Sequence, residues 1–142
     1  MSETIVFHKL KVWHLAKDLV KDIYKVTQNS PAEEKFGLVS QINRAAISIV
    51  SNIAEGSGRI SRKDQAHFTQ LAYGSLMEVA CQLEITCDLG FIKEEELLAL
   101  HRIIKNVAEK LSALRSSQLS SLNPQPSTRI IIWPIGKQFF TG

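Results

Sequence analysis

The stretch Glu94–Arg115, EEELLALHRIIKNVAEKLSALR, decides the fold class. Leu97, Leu100, Ile104, Val107, Leu111 and Leu114 follow one another at alternating spacings of 3 and 4, which stacks them along one seam of an α-helix. Glu94, Glu95 and Glu96 fill the opening turn, where the helix dipole favours negative charge. A helix with one apolar stripe cannot bury that stripe alone, so it needs partners. Three upstream stretches carry matching patterns.

The first runs from about Lys9 to Gln28, with Val12, Ala16, Leu19, Ile23 and Val26 in a heptad seam that Trp13, Val20 and Tyr24 widen. The second is expected to open at Ser30-Pro31-Ala32-Glu33, a capping box with proline at the first helical position. It carries Leu38, Ile42, Ala45, Ile49 and Ile53 until Gly56-Ser57-Gly58 ends it. The third starts at Ser61, with Asp64 three residues on, and continues through Phe68, Ala72, Leu76, Val79 and Leu83. It stops at Gly90, a residue suited to the left-handed C′ position, with Phe91 as its apolar follower.

No strand pattern interrupts these helices before residue 129, and short connections between long helices make neighbours antiparallel. The spacing therefore predicts an all-α, up-down-up-down four-helix bundle over residues 1–116. Residues 117–142 read as a tail. Ser117 to Thr128 is a polar linker by composition, and the apolar run from Arg129 to Phe140 is interrupted by Pro134. That tail is expected to be flexible or weakly docked.

Composition agrees with one soluble domain: 142 residues, 44% hydrophobic and 22% charged. The uncharged stretch Gln65–Met77 is too short for a membrane span, and Met1–Thr4 lacks the basic start of a secretory signal, so a cytoplasmic protein is expected. Cys81 and Cys87 are six residues apart, about 240° around a helix, and do not face each other. Lys and Arg exceed Asp and Glu by 17 to 14, which permits a nucleic acid partner without demanding one.

The distribution of charge says more than its total. Between Phe36 and Ala54 the only formal charge is Arg44, and Ile47 and Val50 lie away from the Leu38/Ile42/Ala45/Ile49 stripe. So wide an apolar arc points to a second buried face, hence self-association. Gln41, Arg44, Ser48, Asn52 and Glu55 form a polar stripe on the same helix, facing Ser75 and Glu78 on the next. It reads as a structural polar seam in which Arg44 pairs with Glu78 in a partly buried ion pair.

Constellations for catalysis fail on inspection. Asp64-Gln65-Ala66-His67 occurs once without the partner motif of a di-iron bundle, and the two Cys and four His lack zinc-ligand clustering. No Gly-x-Ser-x-Gly or phosphate-binding loop is present. No catalytic residue, metal, cofactor or small-molecule substrate is expected.

Two basic features remain. His14, Lys17, Lys21 and Lys25 line one face of the first helix, where Asp18–Lys21 and Asp22–Lys25 pairs would soften the field. Arg59, Arg62 and Lys63 surround the turn before the third helix. Repeated around a symmetric ring, these cations would make a concentrated surface for phosphates, led by shape and charge because no stacking-aromatic motif is visible.

Five segments carry a resemblance: Phe7-x-x-Leu10-x-Val12-Trp13-x-x-Ala16, Glu34-x-Phe36-Gly37-Leu38, Gln41-Ile42-x-Arg44-Ala45-Ala46-x-Ser48-Ile49, Asn52-Ile53-Ala54-Glu55-Gly56 and Gly74-Ser75-x-x-Glu78. Over about residues 7–115 the chain resembles the bacterial four-helix bundle family also called 23S rRNA-intervening-sequence proteins, and the Asn-Ile-Ala-Glu-Gly block is specific to it. The family is similar to accessory proteins of diversity-generating retroelements, ring-shaped homopentamers that associate with reverse transcriptase and nucleic acid. The resemblance implies a homopentamer, no catalysis, and a partner that is RNA, DNA or nucleoprotein. The tail from Ser117 departs from the family pattern. The expected function is a non-enzymatic oligomeric adaptor contacting phosphates through Lys17, Lys21, Lys25, Arg59, Arg62 and Lys63. The alternative is a protein-interaction ring without a nucleic acid role, using the apolar helix 2–3 surface or the Trp133 tail.

Overall fold

A computed structural model describes residues 3–120. Its four helices are α1 (Lys11–Thr27), α2 (Leu38–Ser57), α3 (Arg62–Asp88) and α4 (Glu94–Ser120), with short 3-10 turns at Val6–Lys9 and Ala32–Glu34. The described residues contain no strand. Each helix packs against two neighbours: α1 on α2, α2 on α3, α3 on α4 and α4 back on α1. That arrangement encloses one apolar core.

The seams read from spacing are the buried residues. Leu19 and Ile23 of α1, Ile42 and Ile49 of α2, Leu76 and Leu83 of α3, and Ile104 and Leu111 of α4 are fully buried in a single cluster. Each such aliphatic side chain contributes about 1.5–3 kcal/mol by leaving water. Trp13, Leu38, Leu97 and Leu114 pack half-buried around it, while Tyr24, expected to widen the α1 stripe, is exposed.

Helix ends follow the cap chemistry at α3 and depart from it at α2. The Ser61 hydroxyl accepts the Asp64 N–H at 3.0 Å, the expected N-cap. Gly90 has φ +80°, and the Phe91 N–H reaches back to the Thr86 carbonyl at 3.0 Å, so the α3 terminus closes as its glycine requires. At α2 the expected capping box does not form. The Ser30 hydroxyl is buried without a partner, and the chain makes only a 3-10 turn at Ala32–Glu34 before α2 starts at Leu38. Gly37 explains the break. It would be the seventh residue of the expected helix, at the end of its second turn, and glycine there costs about 1 kcal/mol relative to alanine.

The end of α4 also differs from its composition. Ser117 to Ser120 continue the helix instead of starting a linker, because Gln118 is buried and bonded to Thr69. The remaining tail reading, residues 121–142 with Trp133 and Pro134, lies outside the described residues.

Candidate functional site

The polar seam forms at its centre and opens at its edges. Ser48 of α2 and Ser75 of α3 are 2.9 Å apart between their hydroxyls, and the Asn52 amide donates to the Ser48 hydroxyl at 3.0 Å and to its carbonyl at 2.9 Å. Small hydroxyl residues let the two helices approach while keeping their polar atoms paired. Gln41, Arg44, Glu55 and Glu78 are exposed at the rim.

The expected Arg44–Glu78 ion pair is absent. Both side chains line an open cleft of about 400 Å³ with Gln41, Ala45 and Ser48, but both are exposed and no salt bridge joins them. The serines deeper in the seam set the helix contact, and Glu78 instead accepts a long bond from the Gln82 amide at 3.3 Å. Solvated charges gain little by closing such a gap.

The basic residues divide into two groups. Lys17, Lys21 and Lys25 are exposed on α1 and make no ion pair among the described residues; the softening pairs with Asp18 and Asp22 do not form. The Lys17 ammonium stands 5.1 Å from the Trp13 ring centroid, a cation–π contact. Arg62 and Lys63 are likewise exposed, and Arg62 donates to the Gln65 side chain at 3.2 Å. Arg59 is held differently: it pairs with Glu55 at 2.8 Å and stacks over Phe68 at 4.5 Å. Its charge is therefore largely spent within the chain. No bond or ion pair joins the α1 lysines to the turn cluster.

Two features escaped the spacing argument. Phe7, His8, Trp13 and His14 form a run of ring contacts with centroids 4.5–6.3 Å apart, tied by the His14 Nε2–H donating to the His8 carbonyl at 2.8 Å. The 3-10 turn at Val6–Lys9 folds back onto α1, which no helical periodicity reveals; the Phe-His and Trp-His pairs flanking Leu10 were the available signal. The second is a groove of about 910 Å³ between the end of α1 and the start of α2, lined by Tyr24, Phe36, Val39 and Ile47. No cluster of three or more His, Cys, Asp or Glu among the described residues could hold a metal ion, and no described helix is long and apolar enough to cross a membrane.

With the helices and the Ser48–Asn52–Ser75 seam in place, the comparison with known families is decisive. The family model for the 23S rRNA-intervening sequence protein matches residues 8–113. The chain belongs to that family. The matched region takes in all of α1, α2 and α3 and stops within α4, so the seam and both basic groups are part of a 23S rRNA-intervening sequence protein domain. No curated protein matches the chain.

Proposed function

We propose that this 23S rRNA-intervening sequence protein is a non-enzymatic, oligomeric adaptor that holds nucleic acid, or a nucleoprotein, on a basic surface. One observation carries the reading. Lys17, Lys21, Lys25, Arg62 and Lys63 are all exposed and have no acidic partner within ion-pair distance among the described residues. Five free cations on a 15.9 kDa chain offer little as a monomer, and copies around a ring multiply them. The family resemblance supplies the number five for that ring. The reading takes the bundle as up-down-up-down. In support, the Glu84–His101 and Gln70–Arg115 contacts pair falling positions on α3 with rising positions on α4.

The test is size-exclusion chromatography with light scattering and absorbance at two ultraviolet wavelengths, on protein taken from lysate at low salt. The adaptor reading expects a multiple of 15.9 kDa carrying nucleic acid that high salt removes. A variant with Lys17, Lys21, Lys25, Arg59, Arg62 and Lys63 all changed to Gln that binds as tightly as wild type would remove the proposed surface. The apolar groove at Tyr24, Phe36 and Ile47 favours a second reading, a protein-interaction scaffold. A particle free of nucleic acid that retains a protein partner at high salt would select it.

A further inference from the structure

The outward side of α3 carries an apolar pattern that the bundle does not use. Leu71, Gly74, Glu78, Cys81 and Ile85 follow one another at 3, 4, 3 and 4, and all five are exposed. Leu71 and Ile85 leave 41% and 46% of their surface in water. That is a second helix-packing seam, on the opposite side of α3 from Ala72, Leu76, Val79 and Leu83. Gly74 sharpens the point. A Cβ built there meets nothing within 4 Å, so no neighbour inside the chain explains a glycine in mid-helix that costs about 1 kcal/mol.

The complement to this seam lies on α2 of the same chain. Arg44, Ile47 and Ser51 are spaced 3 and 4 on the outward side of α2, and all three are exposed. Set antiparallel against α3 with Arg44 opposite Glu78, the next step places Ile47 over Gly74 and the next Ser51 against Leu71. Large meets small at both steps, and the single cation of the α2 seam meets the single anion of the α3 seam. Charge reinforces the match: between Lys63 and Lys93, α3 carries acidic residues and no Lys or Arg.

We infer that the outer seam of α3 seats α2 of a second copy of this chain, with Arg44 of one copy paired to Glu78 of the next. The inference rests on the oligomeric reading above and locates its interface. It also accounts for the Arg44 and Glu78 side chains standing exposed and unjoined within one chain. Because Arg44 and Glu78 flank one α2–α3 cleft, the same face of each copy takes part in the contact.

Light scattering on purified full-length protein, with circular dichroism as the control for folding, tests it. Wild type is expected at a multiple of 15.9 kDa. Gly74→Leu, whose Cβ would meet nothing within 4 Å in its own chain, and Glu78→Arg should each fold but assemble at least about tenfold more weakly. Arg44→Glu combined with Glu78→Arg should recover the wild-type mass. Wild-type assembly by both single variants, or no recovery in the double variant, overturns this interface while leaving self-association standing. A monomeric wild type overturns the oligomeric reading and this inference together.

Discussion

The Thr69 hydroxyl lies 2.8 Å from the Gln118 side-chain oxygen, across the α3–α4 boundary, with both residues buried. The same hydroxyl lies 3.0 Å from the Gln65 carbonyl, so its one hydrogen serves two acceptors. Thr69→Val keeps the shape and removes that hydrogen bond. A loss of about 0.5–1.5 kcal/mol is expected, read as a lower urea midpoint at unchanged slope. A chain stopped after Ser116 should lose at least as much against one stopped after Ser120, since Gln118 goes with it.

Two glycines should respond to alanine with opposite sign. At Gly56 a Cβ would lie 2.9 Å from the Phe68 Cβ and 3.4 Å from the Gln65 carbonyl, so α2 and α3 would have to part. Gly56→Ala should cost about 1–3 kcal/mol despite the better helix former. Gly74 has open space, and Gly74→Ala in the Glu78→Arg background should stabilise the fold by about 0.5–1 kcal/mol. Thermal unfolding of the two variants reads both signs.

The Glu55–Arg59 pair predicts unequal contributions of Arg59 and Arg62 to nucleic acid binding. Arg59→Gln removes a charge already answered by Glu55 at 2.8 Å, so it should change the salt slope less than Arg62→Gln. Loss of one full phosphate contact lowers that slope by about 0.9 on duplex DNA. Glu55→Gln should tighten binding by freeing Arg59. Affinity measured over a series of salt concentrations separates the three.

The Cys87 thiol should react with a displaced pH dependence. Burial pushes the Cys87 thiol above its ordinary value of 9.0, and the Asp88, Glu94 and Glu95 carboxylates push it further. The thiolate is the reactive form, so Cys87 should alkylate more slowly than a free thiol at pH 8, and its rate should still climb above pH 9. The sign for stability is the same. The unfolded thiol ionises first, so whatever this group adds below its unfolded pKa is lost as pH rises through the folded one. Rates in a Cys81→Ser variant isolate Cys87.

The four helices were legible because a helix seam is a local pattern. Val12 to Ile23 and Leu100 to Leu111 announce their buried faces through neighbours 3 and 4 residues away, and Ser61 and Gly90 mark their ends through contacts within five residues. The Ser30 capping box misled because its four-residue signature was complete, whereas Gly37 lay just beyond it and overrode it. The polar seam was legible as a stripe, and its centre at Ser48, Asn52 and Ser75 is bonded as such a stripe should be.

Spacing along the chain thus determined, on its own, that this is an all-α protein of four packed helices and which face of each is buried. Periodicity of 3.6 residues maps directly onto helix faces, and burial follows from it. Only the tertiary structure decided which polar side chains meet. Arg44 and Glu78 stand apart, Arg59 is answered by Glu55, and Thr69 reaches Gln118. Such pairings depend on how far one helix is shifted and rotated against its neighbour. Core packing at residues far apart in the chain sets that offset, and one-dimensional spacing does not contain it.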